Sequence, residues 1–93
     1  MTAPAPQAGM KRVTVRYFAS IREALGQGSE SLQTEAATLG ALRDALIARG
    51  GAYAESLARS RAVRMALDQT LALEDAALHD GAEVAFFPPV TGG

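Results

Sequence analysis

The sequence predicts an α+β domain in which helices pack on one face of a sheet. Three observations carry this. Residues 11–17 alternate apolar and polar side chains, the two-residue period of a strand with one buried face. Residues 38–49 repeat leucine at helical spacing behind a capping threonine. The elements then follow in the order strand, helix, strand, helix, strand, strand, strand, with one short extra helical turn before the third strand.

At 93 residues one domain is expected. Hydrophobic residues make up 48% of the chain, but twenty of them are alanine, so the larger apolar side chains suffice for one small core. Residues 1–10 carry no charge and two X-Pro steps, and they lack the basic start and apolar run of a signal peptide. They read as a disordered leader. The ordered domain is expected over 11–87, with a flexible tail over 88–93.

The first strand places Val13, Val15 and Tyr17 on its buried face. Phe18 then falls in phase with the polar Thr14 and Arg16, so its ring either turns inward as the strand ends or is displayed. Ser20 to Glu23 fits a capping box opening a short helix, which Gly26 can close in a left-handed conformation. Ser29 to Glu35 alternates weakly around Leu32 and reads as an edge strand. Thr38 to Arg49 is the main helix, with Leu39, Leu42, Ala45 and Leu46 on its apolar stripe. Arg43 and Asp44 lie away from that stripe, and Gly50 stops the helix. Tyr53 and Leu57, four apart, suggest a further helical turn.

Ala62 to Leu67 is the third strand, with Val63, Met65 and Leu67 on one face. Asp68-Gln69-Thr70 forms a polar turn, and Leu71 to Leu73 a short fourth strand. Asp80-Gly81 signals another turn, and Glu83 to Phe87 is the last strand. Pro88-Pro89 halts it, because neither proline can donate to a ladder. Arg59, Arg61 and Arg64 read as a solvated basic rim.

Several function classes are excluded by composition. Nine basic against ten acidic residues, a net charge of −1, argue against a reader of the nucleic-acid backbone. There is no cysteine, hence no disulfide, thiolate metal site or cysteine nucleophile, and one histidine cannot build a multi-histidine metal site. The longest run without a polar residue, Val84 to Val90, is too short to span a bilayer and contains two prolines. His79 beside Asp80 has no nucleophile or second histidine for company and reads as a turn residue in water. Arg22 on the first helix can pair with Glu23 or with an acidic partner.

The end of the chain is the most informative segment. In Phe86-Phe87-Pro88-Pro89-Val90-Thr91-Gly92-Gly93 the prolines stiffen the base of the tail toward an extended form, which lowers the entropy lost on docking. Val90 and Thr91 also favour extension. Gly92 and Gly93 strip side chains from the neighbourhood of the carboxylate, so that a narrow channel can admit it.

Three motifs together resemble the small subunit of molybdopterin synthase, a ubiquitin-like sulfur carrier of the β-grasp fold. They are Val13-x-Val15-x-Tyr17-Phe18-Ala19-x-x-Arg22-Glu23, Leu78-x-Asp80-Gly81-x-Glu83-Val84, and the tail itself. Asp68 departs from the asparagine frequent there. The resemblance implies a mixed sheet of about five strands with helices on one face. It also implies that Gly93 is adenylated by a partner resembling ubiquitin-activating enzymes, becomes a thiocarboxylate, and donates sulfur to the dithiolene of the cofactor in the large subunit's active site.

The residues agree with that reading on three points. A chain without cysteine can carry transferable sulfur only on a group such as its terminal carboxylate. A free carboxylate is a poor electrophile, and Lys11 is the only lysine, with no glycine-rich phosphate loop before it; activation with ATP must come from another protein. A thiocarboxylate is ionised at neutral pH and needs no base of its own. The chain is thus expected to act as reagent rather than catalyst, to bind no cofactor, and to serve in the cytoplasm without nucleic-acid or membrane partners.

The implied partners are the large synthase subunit, two copies with two of this chain, and the adenylating enzyme. Gly92, Thr91, Val90, Pro89 and Pro88 would enter the large subunit. Phe18 and Phe87 are both out of phase with the core, so they form with Arg22 the expected partner interface, the alternative being burial under the chain's own loops. Two other functions remain open at this point: a related carrier that supplies sulfur to thiamine, cysteine or transfer RNA or acts as a protein modifier, and a ubiquitin-like binding module whose Gly-Gly has no chemistry.

Overall fold

A computed structural model describes residues 10–89. Residues 1–9 of the expected leader over 1–10, and the last four residues, Val90 to Gly93, lie outside the described residues. Five strands and three helices run in the order β1 (Lys11–Tyr17), α1 (Ala19–Leu25), β2 (Ser29–Thr34), α2 (Leu39–Ile47), α3 (Gly51–Ser56), β3 (Arg64–Leu67), β4 (Thr70–Ala72) and β5 (Glu83–Phe87). They form one sheet in the spatial order β2-β1-β5-β3-β4. The central pair β1 and β5 is parallel, and the remaining pairs are antiparallel. This is the β-grasp arrangement.

Alternation puts Val13, Val15 and Tyr17 of β1 on the helix side with Val84 and Phe86 of β5, and all five are buried. Leu39, Leu42 and Leu46 of α2 fill the same core, with Leu57 just after α3. Thr38 caps α2 as its residue type predicts, accepting the N–H of Ala41 at 3.1 Å. Gly26 takes φ 75° and closes α1 by donating its N–H to the carbonyl of Arg22. β2 lies at the sheet edge, in agreement with its weak pattern.

Three expectations are corrected. The capping box at Ser20 does not form: α1 begins two residues earlier than that cap implies, at Ala19, Phe18 occupies the cap position, and no side chain caps the helix. The chain turns directly out of β1 and leaves no residue in which Ser20 could stand before the helix. Arg43 does not face solvent but is only 4% exposed. Its guanidinium reaches under the segment after α3, donating to the carbonyls of Leu57 at 2.7 Å, Ala58 at 2.7 Å and Arg61 at 3.2 Å, and to Glu74 at 2.8 Å. An irregular segment with no ladder of its own needs such a donor. The basic rim is likewise partly paired, since Arg59 bridges Asp44 and Glu74.

Candidate docking face and carboxyl-terminal tail

The tail continues the central strand. β5 ends at Phe87 with β1 on one side and β3 on the other. The last link on the β1 side is the N–H of Phe18, which donates to the carbonyl of Phe86 at 3.2 Å. Pro88 and Pro89 follow, both half-buried. They line a groove of about 370 Å³ on the helix side with Ile21 and Ala24 of α1 and with Ala62 and Val63 before β3. The expected reactive residue Gly93, and Gly92, Thr91 and Val90 before it, lie outside the described residues.

Strand register composes the opposite, helix-free face. Tyr17 pairs with Phe86, so the next position on each strand brings Phe18 beside Phe87. Phe87 pairs on its other side with Arg64, and continuing the β3–β4 register by one residue brings Leu73 opposite Arg64. The row behind runs Arg16, Ala85, Ala66, Leu71. The face is thus apolar at Phe18 and Phe87 and again at Leu71 and Leu73, with the exposed Arg64 between them, and it borders Pro88.

Phe18 is 41% exposed, so its ring is displayed rather than turned inward; Phe87 is half-buried. Leu71 and Leu73 are more exposed still, at 68% and 77%, and sequence reasoning did not single them out. A two-residue alternation around Leu71 and Leu73 was the available signal. It fixes that the pair shares a face but not that the face is uncovered.

Cations surround the aromatic end. The Arg16 guanidinium lies 5.7 Å from the Phe18 ring centroid and pairs with Glu83 at 3.1 Å. Arg22 is exposed and packs against Gly28, where an added Cβ would stand 3.3 Å from its Nε. Arg16, Arg22 and Phe18 thus line one shallow surface with Ser29.

Beneath this surface sits a polar hub that sequence reasoning missed. The Glu30 carboxylate accepts from the Tyr17 hydroxyl at 2.7 Å, the Tyr53 hydroxyl at 2.8 Å and the Arg49 guanidinium at 3.0 Å. Burial alone would raise the Glu30 pKa, but these donors outweigh it and hold the carboxyl below its usual range. Burial, then the bond to Glu30, pushes the Tyr17 hydroxyl well up, so it stays a neutral donor. The hub ties β1, β2 and α3 together one residue before Phe18. Its members are far apart in sequence, and no local pattern announces them.

At the other end of β5, His79 is exposed as expected but is not alone in water. Its Nε2 lies 2.6 Å from Asp68 Oδ2, and Asp68 Oδ1 accepts the N–H of Glu83 at 3.0 Å. No group of three or more His, Asp or Glu side chains among the described residues is placed to hold a metal ion. No helix among them is long and apolar enough to cross a membrane.

A family model described as the ThiS family matches residues 15–93. The chain belongs to the ThiS family. Within it, the chain is 38% identical over 81 residues to the molybdopterin synthase sulfur carrier subunit of Haemophilus influenzae and 40% identical over 81 residues to that of Escherichia coli. Each match covers 87% of this chain and 99% of the relative. Among solved structures it resembles the complex of subunits 1 and 2 of molybdopterin-converting factor from Helicobacter pylori, with a TM-score of 0.57 and 30% identity over 88% of this chain and 99% of that one. The family match extends through Gly93, which joins the tail to the β-grasp domain as one unit of resemblance.

Proposed function

We propose that this chain is the sulfur carrier subunit of a molybdopterin synthase, and that its chemistry takes place on Gly93. The observation that carries the reading is the attachment of a Pro-Pro-Val-Thr-Gly-Gly tail to the end of the central strand, beside an apolar face built from Phe18, Phe87, Leu71 and Leu73. The face docks the large subunit and the tail enters it. Identity to carrier subunits over nearly their full length supports this synthase over the thiamine, cysteine and transfer-RNA carriers. The family match running through Gly93 argues against an inert module.

In the proposed cycle the Gly93 carboxylate attacks the α-phosphorus of ATP on an adenylating partner, pyrophosphate leaves, and an acyl adenylate forms. A sulfur nucleophile then displaces AMP and leaves a thiocarboxylate. In the large subunit that sulfur passes to the pterin precursor, and water restores the carboxylate. This chain holds no nucleotide and no cofactor of its own; it supplies reach, orientation and a single sulfur atom. Two copies with two large subunits would form the working assembly, in the cytoplasm where ATP is available.

Intact-mass measurement on protein from its native host tests the reading, with replacement of one oxygen by sulfur at the terminus expected. Deleting Gly93 or adding one residue after it displaces the reactive carbon by about 3.5 Å. Either change should abolish sulfur transfer in a reconstituted synthase while leaving thermal unfolding unchanged. Retained transfer by the extended chain would overturn it.

A further inference from the structure

Ala19 opens α1 directly after the cap residue Phe18, and it takes φ +52°, a conformation that L-residues with a side chain seldom adopt. Its neighbour is fixed from both sides. Phe18 keeps extended dihedrals, φ −128° and ψ 155°, and its N–H is bonded to Phe86. The Phe18 carbonyl accepts the N–H groups of Ile21 at 3.1 Å and Arg22 at 3.3 Å. Phe18 is therefore simultaneously the last residue held by the β5 ladder and the first acceptor of the helix.

Such a junction requires the chain to reverse within one residue. With Phe18 held to Phe86, rotating φ of residue 19 to a negative value would swing the start of α1, and Arg22 with it, away from their present place beside Phe18. No glycine supplies the turn; an alanine bears it under strain. Strain of this kind persists where surrounding bonds over-determine it, and it gathers at sites whose geometry matters.

We infer that Ala19 is a positioning residue for docking: its left-handed conformation holds the exposed Phe18 ring beside Phe87 and sets Arg22 one helical turn away, so that the partner meets a preformed surface. This rests on the reading of Phe18 as a contact with the large synthase subunit. Preformation lowers the ordering cost of binding, whereas a mobile loop at residue 18 would present the same ring at lower affinity.

The test is calorimetric titration of the large subunit with four full-length carriers: wild type, Ala19→Gly, Ala19→Val and Phe18→Ala. Glycine takes positive φ freely, so Ala19→Gly should bind within about twofold of wild type and melt at the same or a higher temperature. A β-branched valine resists that φ. Ala19→Val should bind at least about tenfold more weakly at a temperature where its melting curve shows it folded. Wild-type affinity for Ala19→Val, or a tenfold loss for Ala19→Gly, overturns the inference while weakened binding by Phe18→Ala leaves the docking reading intact. Wild-type affinity for Phe18→Ala overturns the docking reading itself. Should Ala19→Val fail to fold, the one-bond Cα–Hα coupling of residue 19 in the wild-type protein, free and bound, decides: a positive φ in both states is expected, and a negative φ in either overturns the inference.

Discussion

Tyr17 and Phe86 stack inside the core with ring centroids 6.3 Å apart and planes 15° from parallel. They are also register partners on the central parallel pair. The stack marks the level at which the core ends: one residue further along each strand, Phe18 and Phe87 point to the opposite face. Two adjacent phenylalanines on β5 thus have different tasks, and truncation separates them. Phe86→Ala should cost about 3–5 kcal/mol of stability as a core truncation. Phe87→Ala should cost about 1 kcal/mol and weaken binding to the large subunit by about 2 kcal/mol. Thermal melts and titration calorimetry on the two variants check this, and a reversed pattern would mean that the docking face has been misassigned.

Leu71 makes a sharper probe of the same face because folding needs so little from it. Leu71→Glu should change stability by no more than about 0.5 kcal/mol, as surface substitutions generally do. On a docking face a carboxylate there would have to be desolvated without a partner, and affinity should fall at least about tenfold. Equal affinities for the variant and the wild type would restrict the interface to the β1–β5 end.

Arg43 is expected to be among the most costly polar positions to change. Arg43→Met keeps the volume and apolar stem but takes the guanidinium from the Leu57 carbonyl and leaves the Ala58 carbonyl only the N–H of Arg61. The loss should be about 3 kcal/mol or more by urea denaturation. Arg43→Lys restores a charge without the planar fork and should recover only part of the loss. Near-wild-type stability for Arg43→Met would show that water replaces the guanidinium at no cost.

The Asp68–His79 pair gives the fold a pH dependence with a defined sign. The N–H of Glu83, and then His79, hold the Asp68 carboxyl below its usual 3.8. Asp68, and then the Asp80 carbonyl, hold the His79 imidazole above its usual 6.5. The His79 contribution is therefore complete below 6.5 and is lost as pH rises through its raised folded-state value. The Asp68 contribution is present above 3.8 and is lost as pH falls through its lowered value. Denaturation midpoints of the wild type minus those of His79→Gln should be largest between those limits and shrink on either side. In Asp68→Asn, the His79 proton resonances should titrate closer to 6.5; an unmoved midpoint would mean that the two side chains do not pair in solution.

Much of this architecture is legible in the sequence because it depends on short-range periodicity. The alternation from Val13 to Tyr17 and from Val84 to Phe86, the leucine stripe of α2 and the Thr38 cap are local facts, and each element formed where its pattern predicts. What escaped reading depends on contacts between segments. Arg43 follows a surface phase on its helix, yet the irregular chain after α3 folds over it and consumes its donors. Glu30, Tyr17, Tyr53 and Arg49 become a hub only once three elements converge. Ser20 fits a cap by composition, but the link from Phe18 to Phe86 claims the start of the helix first. Exposure of Leu71 and Leu73 is of the same kind, since alternation tells which residues share a face and not whether anything covers them.

The position of β5 also has a mechanical meaning. Under the proposed reading the tail leaves the large subunit after each transfer, and any pull on it enters the domain at Phe87. β5 is stitched on both flanks, to β1 and to β3, so a tug along the tail loads two ladders of hydrogen bonds at once. A strand at the sheet edge, as β2 and β4 are, would be held by one ladder only. On that reading, withdrawal of the tail can be complete long before the domain to which it is attached unravels.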